Sequence, residues 1–340
     1  MAHISSHPHP NWDELVRTLR GLDSAVVTTH VNPDGDAVGC AVVLTDALRS
    51  TGCDVRAVMT SEVPPVYASL DPEGVIERYD PAMHDELIES RALIVVDTSS
   101  EERLARMKEI ARKAPRRYVL DHHKEDGTEF DLAVIDPDAP ACAELLLRLL
   151  DDLPVPVETR WARALYVAVM TDTGGFRFSN TNARAHRVAA RLLDEFPSLD
   201  ASEAYSQFYE SYSPARMRLL GKALAGLRIE CDGQLGYMTV TRAEINEEDV
   251  PLHEMEGVVD YARTVAGVLL ALLFVEPRDG ITKVSVRSRE PVDAAEFAAT
   301  FGGGGHARAA GIRLKVPFLE GLEAVLQAAR ALFRHFDVTA

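Results

Sequence analysis

Cysteine is scarce in this chain. The four present, Cys40, Cys53, Cys142 and Cys231, are scattered through 340 residues with no Cys-x-x-Cys pair. That spacing excludes a disulfide framework and leads us to expect reduced thiols in a cytoplasmic protein. Basic charge is also short. The chain has 36 Lys plus Arg against 53 Asp plus Glu, a formal net charge of −17. Duplex DNA is gripped by a basic face, so it is not an expected partner. An anionic substrate stays open, because a metal or a few arginines can reverse the sign inside one cleft. Long apolar runs are missing as well. The longest, Val265 to Val275, is too short to cross a bilayer, so no membrane partner is expected. The opening MAHISSHPHPNW has no apolar stretch of the signal-peptide kind and reads as a tail through Pro10. We find neither an internal repeat nor a low-complexity tract.

What remains is an ordinary globular composition, 46% hydrophobic and 26% charged. At roughly 100–200 residues per domain, the length allows two. Asn11 with Glu14 reads as a capping box opening a helix that stops near Gly21. Short apolar strands are expected at Ala25–Thr29, Val55–Met59, Ala92–Val96 and Arg117–Leu120. Helices are expected at about 37–49, 101–111, 143–150 and 158–170. Strands apolar on both faces and alternating with helices argue for a parallel α/β sheet, which binds ligands beyond its C-terminal strand ends. From about 182 to 225 the pattern is helical, broken near Pro197 and Pro214. Strands then recur at Arg228–Cys231, Tyr237–Thr241, Val268–Val275 and Thr282–Arg287. A capped helix at Asp293–Ala299, a glycine loop from Phe301 to His306 and a long helix at about 318–336 complete a smaller α+β domain. The expected division is 1–185, a helical connector 186–225, and 226–340.

Four polar clusters sit at strand or helix ends of the first domain. His30-Val31-Asn32-Pro33-Asp34-Gly35-Asp36 places one imidazole and two carboxylates in a turn forced by Pro33 and Gly35. Imidazole with carboxylate suits Mn, Fe or Co, and Mg less well; a helix-capping turn is the plain alternative. Asp97 follows Leu93–Val96 and precedes Thr98-Ser99-Ser100, where it could equally cap a helix. Asp121-His122-His123 offers two imidazoles pointing different ways, with Lys124, Glu125 and Asp126 behind them. Asp172 ends a helix ahead of Gly174 and Gly175, a place where a buried carboxylate is disfavoured unless a cation compensates it. Together these residues are about what two octahedral metals need once waters are added. Two metals are the standard apparatus of phosphoester hydrolysis.

HVNPDGDAVG, VVDTSS, LDHH and TDTGGFRFSNT resemble, in order, the four motifs of the DHH phosphoesterase family. GGGGHARAAG, with SVRS upstream, resembles its DHH-associated C-terminal domain. The likeness runs from about Ala25 to Val316. Length and domain content are similar to the NrnA-like branch, oligoribonucleases (nanoRNases) that also dephosphorylate 3′-phosphoadenosine 5′-phosphate (pAp). The resemblance implies a parallel-sheet N-terminal domain, a smaller α+β C-terminal domain and an active site in the cleft between them. It implies two divalent metals, Mn2+ first, with Mg2+ or Co2+ as alternatives. His30 and Asp34 would hold one and Asp36 the other, Asp97 would bridge both, and His122 and Asp172 would complete the second site. His123 would face the scissile phosphate, so Asp97 and His123 are the expected catalytic pair. Arg287, Ser288, Gly303, Gly304, Gly305 and His306 would hold the rest of a nucleotide. Cys40 departs from the family, which more often has a small hydroxylated residue there.

The expected activity is hydrolysis of short oligoribonucleotides such as pApA to mononucleotides, and of pAp to AMP. Cleavage of cyclic dinucleotides is the alternative within the same chemistry, and a non-catalytic nucleotide sensor is the alternative of another class. A sensor would be expected to have lost ligands, and all six candidates are present. Family II pyrophosphatases share the first domain but not the Gly302–His306 loop or Arg287. A processive RecJ-like exonuclease would want a more basic track. Dimerisation is common in proteins of this kind, so a homodimer is the expected assembly.

Overall fold

The computed structural model describes residues 9–88, 91–124, 129–255 and 257–336. Most of the opening tail, through Pro8, and Glu125 and Asp126 of the polar turn lie outside the described residues. The chain divides into two compact units, one through Glu210 and one from Ser211.

The first unit runs α1 (Trp12–Arg20), β1 (Ser24–Thr28), α2 (Gly35–Ser50), β2 (Asp54–Met59), β3 (Ile76–Arg78), α3 (His84–Ile88) and β4 (Ala92–Val96). It continues with α4 (Met107–Lys113), β5 (Arg117–Asp121), β6 (Leu132–Ile135), α5 (Cys142–Asp152), α6 (Thr159–Asp172), α7 (Ala183–Glu195) and α8 (Ala201–Tyr209). The strands form one all-parallel sheet in the order β3-β2-β1-β4-β5-β6. The expected parallel α/β class is therefore present. Both faces of the sheet are covered. Ala92, Ile94 and Val96 enter one core with side chains of α2, α5 and α6, while Leu93 and Val95 enter the other with Leu104, Met107 and Ile110. A strand buried on both faces must be apolar at every position, which is why β4 has no polar alternation.

Helix α2 packs against α6 through small residues one helical turn apart. A Cβ added at Gly39 would stand 3.0 Å from the Ala164 carbonyl oxygen, and one at Gly35 would overlap the Thr171 side chain. The two glycines let the start of α2, carrying Asp36, lie close against the end of α6, carrying Asp172.

Two expectations are corrected. Asn11 stands at the N-cap of α1 but makes no side-chain cap. Its amide donates instead to the Ala133 carbonyl at 2.8 Å, so a tertiary partner on edge strand β6 outcompetes the local capping box. The single helix expected at 101–111 is a 3-10 turn, Glu101–Leu104, followed by α4, with Ala105 at φ 47° between them. The break lets Leu104 and Met107 both enter the lower core, while the Arg103 carbonyl accepts from Val31 N at 2.8 Å. The expected break near Pro214 is present: α8 ends at Tyr209 and Pro214 opens the next helix, where the first position needs no N–H donor.

The second unit runs α9 (Pro214–Ala225), β7 (Arg228–Glu230), β8 (Leu235–Val240), α10 (Arg242–Glu248), α11 (Val258–Arg263), β9 (Leu270–Arg278), β10 (Ile281–Ser288), α12 (Ala294–Ala299), β11 (Gly304–His306), β12 (Ala309–Leu314) and α13 (Phe318–Phe336). Its sheet order is β11-β12-β10-β9-β8-β7. All neighbours are antiparallel except β8 and β9. The glycine loop is partly a strand: Gly304, Gly305 and His306 pair with Gly311, Ala310 and Ala309.

Gly39→Val should destabilise the first unit by about 1–3 kcal/mol, because branched carbons there meet backbone rather than a yielding side chain. Urea unfolding checks this; an unchanged midpoint would show that α2 can step back from α6.

Candidate active site

The strand order reverses direction between β1 and β4, and parallel sheets bind their ligands outside such a switch point. His30 follows β1 and Asp97 follows β4. Asp121, His122 and His123 end the neighbouring strand β5, and α2 and α6 bring Asp36 and Asp172 to the same edge. All seven expected first-domain residues are brought together here, apart in sequence and close in space.

Asp97 is the centre. It is buried, with its backbone at φ 61°, a conformation costly for a residue with a Cβ and typical of functional positions. His30 Nε2 lies 3.3 Å from Oδ2 of Asp97, and His122 Nε2 lies 3.4 Å from Oδ1. His122 Nε2 is also 3.8 Å from Asp172 Oδ2 and 3.9 Å from Asp36 Oδ2. Backbone carbonyls set both imidazoles. His30 Nδ1 donates to Val31 O at 2.9 Å and His122 Nδ1 donates to Ala139 O at 3.2 Å. Each ring therefore turns Nε2 into the cluster, as a metal-ligating histidine does. His30, Asp34 and Asp97 form one group with ligand atoms mutually within 4.8 Å, and Asp36, His122 and Asp172 form a second. Asp97 Oδ1 and His122 Nε2 are buried without any hydrogen-bond partner. Buried polar atoms are rarely left so, and this mixed nitrogen and oxygen donor set fits divalent cations.

The remaining side chains are fixed by neighbours. Asp34 caps α2, accepting from Asp36 N and Ala37 N at 3.1 Å each. Asp36 accepts from Cys142 N at 2.6 Å and Ala143 N at 3.0 Å, so it caps α5 across 106 residues of sequence. The Cys40 thiol donates to Asp36 Oδ1 at 3.2 Å; a weak donor stands where a hydroxyl was the commoner expectation.

Three residues had no role assigned from sequence. Asp121 accepts from His123 Nδ1 and Ser99 Oγ, both at 2.7 Å, and so fixes the His123 ring. Asn180 donates to Asp172 Oδ2 and to Pro140 O, both at 2.9 Å. Arg103 places NH1 3.4 Å from His123 Nε2. Asp121 and Asn180 lie inside quoted motifs, so a signal was present. Arg103 carries none beyond its nearness to Asp97 in sequence.

Without cations the cluster answers its own charge with protons. Burial, with Asp97 and Asp172 nearby, pushes Asp36 well above the usual carboxylate range. Burial, with Asp34 and Asp97 adding, pushes Asp172 up to about 7. Burial opposes the charged forms of His30 and His122 too, but Asp97 outweighs it and raises both. Asp97 moves the other way: burial would raise it, yet the two imidazoles hold it well below the usual range.

In the second unit, Arg287 Nε is buried, makes no hydrogen bond and lies 3.6 Å from Asp260 Oδ1. Ser288 is buried and its hydroxyl donates to Ala307 O at 2.8 Å. A Cβ at Gly305 would stand 2.6 Å from Ala310 Cα, and one at Gly303 would overlap the Gly311 carbonyl, whereas Gly304 faces open space. Sheet packing thus accounts for two of these glycines, and Gly304 is where another molecule can approach the backbone. The side chain of His306 lies outside the described residues.

A parallel sheet with such a donor cluster at its switch point defines an α/β protein built to hold divalent cations. Residues 24–169 match the DHH family, N-terminal domain, and residues 233–335 match the DHHA1 domain; the chain belongs to the DHH family. It is 31% identical, over 95% of its length and 96% of the relative's, to a Thermus thermophilus protein named bifunctional oligoribonuclease and PAP phosphatase NrnA. A crystal structure of an exopolyphosphatase-related protein from Bacteroides fragilis is similar in fold, with TM-score 0.87 and 24% identity, covering 98% of this chain and all of that one. RecJ from Thermus thermophilus, solved in complex with Mn2+, has TM-score 0.57 and 17% identity, covering 98% of this chain and 56% of RecJ.

The sign of a stability prediction follows from the shifts. Asp36, Asp172, His30 and His122 all bind protons more tightly folded than unfolded, so their contribution is full at low pH and is lost as pH rises through the folded values. Asp97 acts oppositely only in strong acid. The metal-free protein should therefore lose thermal stability as pH rises through about 7, and Asp172→Asn should flatten that slope there. Melting curves on both sides of that pH check it; equal slopes for both proteins would contradict the assignment of Asp172.

Proposed function

We propose that this protein is a metal-dependent phosphoesterase that cleaves short oligoribonucleotides such as pApA to mononucleotides and hydrolyses pAp to AMP. The observation that carries the reading is the pair of donor groups flanking Asp97, buried and lacking hydrogen-bond partners at Asp97 Oδ1 and His122 Nε2. The name of the Thermus thermophilus relative supports the substrate class. His30, Asp34 and Asp97 would hold one divalent cation, and Asp36, Asp97, His122 and Asp172 a second, with Mn2+ as the native metal. Such cations supply Lewis acidity toward a phosphoryl oxygen and lower the pKa of water.

The protein's own groups do the rest. Carbonyl bonds from Val31 and Ala139 keep both imidazoles oriented, so little reorganisation accompanies binding. Asp121 fixes Nδ1 of His123, so the Nε2 edge of the ring, with Arg103 beside it, is the edge that would meet the scissile phosphate. In the second unit, Arg287, Ser288, Gly303, Gly304, Gly305 and His306 bind the remainder of the nucleotide. The Arg287 Nε, buried without a hydrogen bond, and the open backbone at Gly304 support this. The proposal extends to a cytoplasmic homodimer acting on short RNA and nucleotides. The −17 charge argues against duplex DNA, and no helix among the described residues is long and apolar enough to cross a membrane.

Chelation should abolish hydrolysis of pApA and pAp, and Mn2+ should restore it better than Ca2+, which prefers all-oxygen sites with more ligands. Asp97→Ala should lose metal as well as rate. His123→Ala should keep its metal and lose mainly kcat, by roughly 10²–10³. Elemental analysis beside steady-state kinetics separates the two; equal metal loss in both variants would mean the roles are misassigned.

Arg287→Ala should lower kcat/KM on pApA by roughly ten- to a hundredfold, the worth of a charged hydrogen bond to phosphate. A generic phosphoester without a nucleotide should be little affected. Equal slowing of both substrates would remove Arg287 from nucleotide binding.

A further inference from the structure

An acidic protein that takes an anionic substrate gains from fixed positive charge beside the scissile group, and one cationic side chain at the site has no carboxylate partner among the described residues. The segment around Arg103 is rich in paired cations: Lys108 joins Glu102, and Arg112 and Arg117 both join Glu101. Arg103 differs. Among the described residues it forms no ion pair with any carboxylate, and its side chain bonds the ring of His123 instead. It is half-buried, and its backbone is held. The Arg103 carbonyl accepts from Val31 N at 2.8 Å, which ties it to the loop carrying His30 and Asp34. That anchor keeps the guanidinium at the His123 edge of the cluster, where NH1 lies 3.4 Å from His123 Nε2. Its charge is also felt at His30, where it opposes protonation. The partner of the guanidinium is thus a neutral ring nitrogen and not an anion, so its charge can still be met by an anion that arrives beside His123. A phosphoryl group is such an anion, and the guanidinium fork matches two of its oxygens.

We propose that Arg103 binds non-bridging oxygens of the substrate's scissile phosphoryl group, beside His123. This deepens the phosphoesterase reading above and rests on it. Two kinds of phosphate contact then serve one substrate: Arg103 holds the group that reacts, and Arg287 holds the nucleotide that identifies it. Arg103 should therefore matter for every phosphoester, including a generic one that Arg287 does not see. A lysine there would keep a point charge but lose the fork.

The test compares the parent with Arg103→Met, Arg103→Lys and, as a control, Arg106→Met, whose side chain is exposed. Three quantities are read: bound Mn2+ per chain, affinity for inorganic phosphate by calorimetric titration of the Mn2+-loaded protein, and kcat/KM on pApA and a generic phosphoester. Arg103→Met should keep its Mn2+, bind phosphate about ten- to a hundredfold more weakly, and lose a similar factor on both substrates. Arg103→Lys should recover part of both losses, and Arg106→Met should match the parent. Phosphate affinity within twofold of the parent in Arg103→Met would overturn the proposal. So would loss of Mn2+ in Arg103→Lys, which would make the residue a prop for the metal cluster. If the parent cleaves no phosphoester, the functional reading fails by itself, and the phosphate titrations still decide whether Arg103 holds the anion.

Discussion

Four carboxylates share one buried corner of the first unit, and their mutual repulsion is the constraint that its architecture answers. Asp34, Asp36, Asp97 and Asp172 could not all stay ionised there unaided. Two imidazoles flank Asp97 directly, and Asp36 and Asp172 are driven toward protonation. Such a site is costly to build and remains electrically incomplete. Its natural complement is a pair of multivalent cations, whose binding must displace protons and so strengthens with pH.

The fold supplies the corner cheaply. In a parallel sheet every strand ends on the same edge, and chains leaving β1 and β4 part in opposite directions at the reversal of strand order. The gap opens without any strand being bent, so the ligating residues need only follow the strands directly. The strands themselves can be wholly apolar because helices cover both faces, which separates the residues that fold the protein from those that do chemistry. The Gly35 and Gly39 pair is the main exception, since it serves the packing of α2 on α6 and the spacing of Asp36 to Asp172 together.

Much of this was readable from sequence, for physical reasons. A run such as Ala92–Val96 can hardly be anything but a buried strand between helices, and a motif confined to seven residues keeps its ligands near one another in any fold. Edge strands β3 and β6 were missed because three or four residues with mixed burial carry no periodicity. Asn11 was misread because its amide serves strand β6, a partner no local pattern shows. Ala105 broke an expected helix because two side chains, Leu104 and Met107, had to reach one core. The orienting parts of the site were also hidden. Asp121 was seen as one of three polar residues rather than as the clamp on His123, and the Ala139 carbonyl that aims His122 has no sequence signature at all.

The helices do not treat the carboxylates alike. The N-terminus of α2 meets Asp34, and the N-terminus of α5 meets Asp36 through the N–H groups of Cys142 and Ala143. Both helix ends carry partial positive charge, so both acids gain some compensation. This also explains how α5 begins at Ala141-Cys142 with no capping side chain of its own: Asp36, on another helix, does that work. Asp172 has the opposite placement. It is the last residue of α6, where the dipole is negative, and among the described residues Asn180 donates to its side chain. Its carboxylate therefore lacks the dipole compensation that Asp34 and Asp36 receive, and its protonation near neutrality competes directly with an incoming cation.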